Sequence, residues 1–387
     1  MYRLPLRLPL GLTLLTALTI VGCETDDDGS GPPLDAGALD ASTTAPGPWP
    51  EGCAVTQDDY LPRTLECTGL YVGALRDKQL AGDVREFAPA VALWSDAADK
   101  RRFIHLPPGT TIDNTNPAEW TFPVGTKLWK EFRVNGQRVE TRLFYKDTVD
   151  TWRRATYAWR ADETAAEIWE DTTGVPNVVK LKDGSDYVLP TRGECNDCHK
   201  GRKDKALGFE QLLLGMEGAT GYTLAQLAAE GRLSQAPART VYKLSDDGTG
   251  IGAAALMYLH VNCGVSCHNE SPTALAYPSG MYLRLDPLRV DMPMVEWNPV
   301  KTTLNVNAHI SNFLGETRIV PGAPDRSLII DVASTRGTNR QMPPIASRVV
   351  DGRGVALLKD WVLKLGALDG GVPTPPAGGM DGGVPVI

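Results

Sequence analysis

The sequence predicts a multidomain α+β chain: an antiparallel β sandwich or barrel-like domain over 51–190, followed by a helical part over 191–366. Three observations lead there. Short runs of aromatic and β-branched residues alternate with turn residues up to position 190. Beyond it, apolar residues recur at helical spacing. The 7 cysteines and 5 histidines of the 387-residue chain include two compact thiol–thiol–imidazole runs, both in the helical part.

At the N-terminus, Arg3 and Arg7 precede a mostly apolar stretch from Leu8 to Val21, which closes on Ile20-Val21-Gly22-Cys23. A positive head, an apolar middle and a small residue before cysteine form a bacterial lipoprotein signal. Residues 1–22 are therefore expected to be removed and Cys23 acylated. An apolar run of about 14 residues is short for a membrane span. Residues 23–50 are rich in Asp, Gly, Pro, Ser and Thr and read as a disordered tether. The tail over 367–387 repeats Asp-Gly-Gly-Val-Pro and reads as low complexity. The expected location is extracytoplasmic, lipid-anchored to the inner or outer bacterial membrane. A net charge of −8 speaks against nucleic-acid binding and suits a soluble body.

Within 51–190, Arg102 to Leu106 ends at Pro107-Pro108-Gly109, and Trp120-Thr121-Phe122 ends at Pro123-Val124-Gly125. Lys130 to Val134 meets Asn135-Gly136, the strongest short hairpin signal, and Gln137 to Tyr145 returns as the second strand. Trp152 to Trp159, Ala166 to Trp169, Val178 to Leu181 and Tyr187 to Leu189 continue the pattern. Six tryptophans (Trp94, Trp120, Trp129, Trp152, Trp159, Trp169) fall here, and a β core explains them more simply than a ligand face. His105 has no second ligand nearby in sequence and reads as structural.

After 190, Thr223 caps a helix that runs to Glu230, and Ile251, Ala255, Tyr258 and Leu259 mark another that runs into Cys263. Leu358, Trp361, Val362 and Leu365 form one face of a closing helix that starts near Asp351. The first motif, Cys195-Asn196-Asp197-Cys198-His199, lies in the segment 191–247. Cysteines three apart can each add across a haem vinyl group, and the following histidine then reaches the iron. The second motif is Cys263-Gly264-Val265-Ser266-Cys267-His268, with one extra residue between its cysteines. Zinc would need a second ligand pair, and a thioredoxin-like site would need a βαβ setting.

Helix, haem cysteines, loop, Met-Pro and final helix over 248–366 is the layout of a class I cytochrome c domain, here with an insertion. Met342, stiffened by Pro343 and Pro344, is the expected distal ligand of the second haem. For the first haem the distal position stays open among His260, Met257 and Met216, with bis-His, His-Met and an unligated site all compatible. With Cys23 lipidated and four cysteines on haem, Cys53 and Cys67 remain, and an exported protein permits a disulfide between them.

Several segments carry a resemblance: Leu93-Trp94-Ser95-Asp96 with Lys100-Arg101, Trp120 to Thr126, and Glu140-Thr141-Arg142. The helical part adds Tyr258 to Cys263, Val320-Pro321-Gly322 with Ser327, and Met342-Pro343-Pro344. Over 60–365 the chain resembles a family of exported bacterial two-haem c-type cytochromes, with a β-rich N-terminal domain before a cytochrome c-like C-terminal one. That family usually has two residues between the cysteines of its second site, where this chain has three. The resemblance implies electron transfer through two covalent haem c groups and their iron, with other redox proteins as partners. A non-catalytic, membrane-anchored carrier of single electrons is the expected function. The alternative is a peroxidase-like haem oxidoreductase with one open haem site.

Overall fold

The computed structural model describes residues 48–170 and 178–368. The expected signal peptide, the lipidation site Cys23 and nearly all of the expected tether and tail lie outside them. Among the described residues, no helix is long and apolar enough to cross a membrane.

The fold is mixed α+β. A short ribbon pairs β1 (Tyr71–Val72) with β2 (Gln79–Leu80). The main sheet contains β3 (Val84–Ala88), β4 (Asp99–His105), β5 (Lys127–Val134), β6 (Gln137–Lys146), β7 (Trp152–Trp159), β8 (Ala166–Ile168) and β9 (Thr220–Gly221). Its order is β8-β7-β6-β5-β4-β3-β9, and every pairing is antiparallel. The β5–β6 hairpin turns at Asn135 and Gly136, whose φ values of +51° and +83° are those a two-residue turn of matching twist requires.

The sheet is not a sandwich of two large sheets, nor does it close into a barrel. One face, carrying Phe103, Trp129, Leu143, Tyr157 and Trp159, is covered by Leu61, Leu65, Leu70 and Leu75 from the preceding segment. The disulfide Cys53–Cys67, with Cα atoms 5.8 Å apart, ties that segment together. The other face, with Ile104, Phe144 and Trp152, is covered by the helical half. Three expected strands are also absent. Residues 178–181 and 186–189 are joined by a single bridge, Lys180 to Asp186, and bury Val179, Leu181, Tyr187 and Leu189 in a third cluster. Trp120-Thr121-Phe122 makes one bridge, Thr121 to Asp113, and spends its aromatic rings on the core.

The helices are α1 (Arg192–His199), α2 (Gln211–Gly215), α3 (Leu224–Ala229), α4 (Gly252–Leu259), α5 (Asn298–Lys301), α6 (Leu328–Ser334) and α7 (Gly352–Leu365). Thr191 and Thr223 begin α1 and α3 with reciprocal capping boxes to Glu194 and Gln226, and Asp351 caps α7 through the Gly354 N–H. The α4 and α7 helices pack where a Cβ on Gly354 would lie 2.2 Å from the Tyr258 ring, so the contact requires a residue without one. A single core unites Phe87, Ile104, Phe122 and Trp152 with Leu212, Leu256, Leu358 and Trp361. The 190/191 boundary in the sequence is thus no boundary in the packing.

Candidate functional site

In α1, Cys195, Cys198 and His199 stand at i, i+3 and i+4, within an arc of about 100° on one helix face. The second motif has the spacing i, i+4, i+5, and on an ordinary helix its histidine would stand about 140° round from Cys263. The backbone corrects this. Residues His260–Gly264 form a π-helical turn: Val265 N–H donates to His260 O and His268 N–H to Cys263 O, both at 2.8 Å and both five residues back. The wider turn absorbs the extra residue, so that the His268 N–H reaches back to Cys263 itself rather than to Gly264. Gly264 is needed there, because a Cβ would lie 2.5 Å from Arg284 N and 2.6 Å from Leu283 O.

The two motifs are neighbours in space although 68 residues separate Cys195 from Cys263 in the numbering. A Cβ on Gly201 would sit 1.9 Å from the carbonyl oxygen of Ser266, inside the second motif. Thr273 Oγ1 also donates to Lys200 O at 2.5 Å. The four thiols are free, and burial raises the pKa of each, Cys198 and Cys263 to about 12.

Each motif histidine is held through the same atom. His199 Nδ1 lies 2.7 Å from Lys205 O, and His268 Nδ1 lies 3.2 Å from Met281 O. A carbonyl only accepts, so both Nδ1 atoms carry the proton and both Nε2 lone pairs are left for a metal. Burial holds both rings neutral, lowering His199 to about 3 and His268 to about 4. Phe144 of β6 stacks on the His199 ring, with centroids 4.1 Å apart.

The loop that offers Lys205 O is pinned by Asp204. Its carboxylate accepts from Lys146 Nζ (2.5 and 2.6 Å), from Trp152 Nε1 (3.0 Å) and from Phe122 N–H (2.5 Å). Lys146 is 1% exposed. A buried ion pair of this kind holds a geometry rather than adding much net stability.

His260, a sequence candidate for the first distal ligand, is occupied elsewhere. It is fully buried; Nδ1 accepts from Leu285 N–H at 3.0 Å, and Nε2 meets Glu210 Oε1 at 2.8 Å. With both nitrogens engaged, it offers no lone pair. Burial works against the Glu210 carboxylate, but Arg202 and His260 outweigh it and hold its pKa near 2. Met257 is buried in the main core and Met216 packs against it. Met342 packs with Ala308, Leu328, Val332 and Phe313, and its N–H donates to Val332 O at 2.9 Å. His105 pairs with Asp83 at 2.9 Å, a structural role.

One feature had no signal in the linear pattern. Arg102, Lys130 and Arg142 are register partners on β4, β5 and β6, so three cations stand in a row on the sheet face that the motifs cover. Arg154, also on that face, has a buried Nε without a hydrogen-bond partner. The charges leave their mark: burial and then Arg102, Arg142 and Lys100 push the Lys130 pKa well down. Their order becomes visible only once strands separated by turns of different length are paired.

Among the described residues, no three or more His, Cys, Asp or Glu side chains converge to hold a bare metal ion. Each motif supplies two thiols and one imidazole with a free nitrogen, and the sheet beneath supplies unbalanced positive charge. That donor set fits a haem attached through both thiols, with carboxylates on its rim. Compared with known proteins, the chain matches no family model, no curated protein and no solved structure.

Proposed function

We propose that this chain is an exported, lipid-anchored two-haem c-type cytochrome that carries single electrons between redox proteins outside the cytoplasm. Its helical half would be the cytochrome c-like part. One observation carries the reading: two thiol–thiol–imidazole sets, each with its imidazole turned by a backbone carbonyl, pack directly against one another. The irregular spacing of the second set is matched by an irregular helical turn, so both sets have one plan.

Haem at such a site supplies one-electron exchange between ferric and ferrous iron. The protein's part is to hold and to tune. Cys195 and Cys198 would anchor one haem, and Cys263 and Cys267 the other. His199 and His268 present Nε2, with orientation fixed through Lys205 O and Met281 O. Met342 is the distal ligand proposed for the second site, on its place before Pro343-Pro344 in sequence. Tight packing of Gly201 on Ser266 keeps the two sites in fixed relation and limits rearrangement when charge moves.

Optical and electron paramagnetic resonance spectra of the purified protein test this. Two low-spin haems, inert to peroxide, are expected, and Met342→Ala removes a sulfur-to-iron band and lowers one potential. A high-spin five-coordinate haem that turns over peroxide would replace the carrier with the enzyme, and an unchanged Met342→Ala spectrum would refute that ligand.

A further inference from the structure

The row Arg102, Lys130, Arg142 is an electrostatic fault in the protein taken alone. Like charges directly opposite on neighbouring strands repel, and here three strands align them. Arg142 has a partner, Glu140, at 2.6 and 2.9 Å. Among the described residues, Arg102 and Lys130 have no carboxylate, and Lys130 has only the Phe132 ring, 5.7 Å away. Arg102 is nevertheless 6% exposed. Burying a cation without a counter-charge is costly enough that native proteins avoid it.

Both cations line one cleft. Its other walls include Val91, Leu93, Leu213 and, from the second motif and the turn that leads into it, Val261, Val265 and Ser266. The cleft is apolar on most sides and positive on one, so it suits a flat apolar body with acidic groups on one edge. Strand geometry ties the positive side to the first motif. Phe144, stacked on His199, lies two residues from Arg142 on β6, on the same face and about 7 Å along the strand.

We propose that Arg102 and Lys130, with Arg142 beside them, bind the carboxylates of the haem held by Cys195 and Cys198. The inference rests on the two-haem reading and adds to it the seat of the propionates. It accounts for three features together: a buried unpaired arginine, a like-charge row, and its place beneath the first imidazole.

Lys130 is only half-buried, so Lys130→Gln tests the assignment with little risk to folding; Arg102→Gln is the second variant and Lys130→Arg the conservative control. Intact mass and redox titration are read together on the whole exported protein. Both haems stay attached, and one of the two midpoint potentials falls in Lys130→Gln and in Arg102→Gln, because a propionate without its cation stabilises ferric iron. Lys130→Arg restores it. In a Cys195→Ser/Cys198→Ser background, Lys130→Gln raises the melting temperature, since the row has lost its counter-charge. Two haems with both potentials unmoved in every variant would overturn the carboxylate assignment and leave the two-haem reading standing. So would a stoichiometric free amphiphilic acid in a solvent extract with unmoved potentials, which would give the cleft to that acid. A wild-type mass without haem would overturn both.

Discussion

Asp204 shows how a residue outside both motifs governs one of them. It lies five positions after His199, and among the described residues its carboxylate is the one anion paired with the buried Lys146 ammonium. Asp204→Ala leaves a buried cation uncompensated, for which about 3–5 kcal/mol of stability is expected to be lost. The loss is read from chemical denaturation, and a change below about 1 kcal/mol would mean that Lys146 finds water. The loop also presents Lys205 O, so the variant should perturb the His199 ring as well, visible as a shift in the Nδ1 proton resonance. Glu210 gives a pH signature. Its pKa is near 2 in the fold, despite burial, through Arg202 and His260, against about 4.5 unfolded. The unfolded chain then binds the extra proton as pH falls below that value, so stability contributed by Glu210 is complete above about pH 4.5 and drains away toward pH 2. Glu210→Gln should flatten that part of the stability–pH curve, at a lower plateau near neutral pH. An unchanged slope between wild type and variant would show that Glu210 does not carry it.

At the scale of elements, the contact between α1's trailing turn and the second motif is the decisive one. Gly201→Val places a Cβ 1.9 Å from Ser266 O, a backbone atom that cannot swing aside, so the two motif segments must separate. The expected result is a large loss of stability and of the fixed relation between the sites, measured by calorimetry and by hydrogen exchange at 263–268. A variant as stable as wild type would show that the segments tolerate separation. Much at this scale was legible in the sequence. Asn135-Gly136 forces its hairpin, Thr223 and Asp351 start their helices, and the apolar run before Cys263 leads helically into it. The failures have physical causes. Strands of the main sheet place apolar residues on both faces, a pattern that is the same whether the cover is another sheet or helices, so the sequence points to a sandwich where helices lie. The β9 strand, two residues long, joins the sheet edge from the helical half, and no periodicity marks a strand so short. The extra residue in the second motif was visible, but its remedy, a π-helical turn, depends on backbone bonds that side-chain pattern does not encode.

For the whole molecule, one core joins the β half to the helical half, and the sheet serves as the floor on which both motifs rest. The motifs themselves were plain in the sequence, since each is a run of five or six contiguous residues. Their mutual contact, the loss of His260 to Glu210, and the cation row were not, because each joins residues brought together only by folding. Both motifs are proposed to carry haem, the irregular one included. Intact mass of the purified full-length protein is the test, taken for the wild type, for Cys195→Ser/Cys198→Ser and for Cys263→Ser/Cys267→Ser. A mass gain of two haem groups is expected in the wild type and of one in each double variant. A wild-type gain of one haem, unaffected by substitution of Cys263 and Cys267, would contradict it.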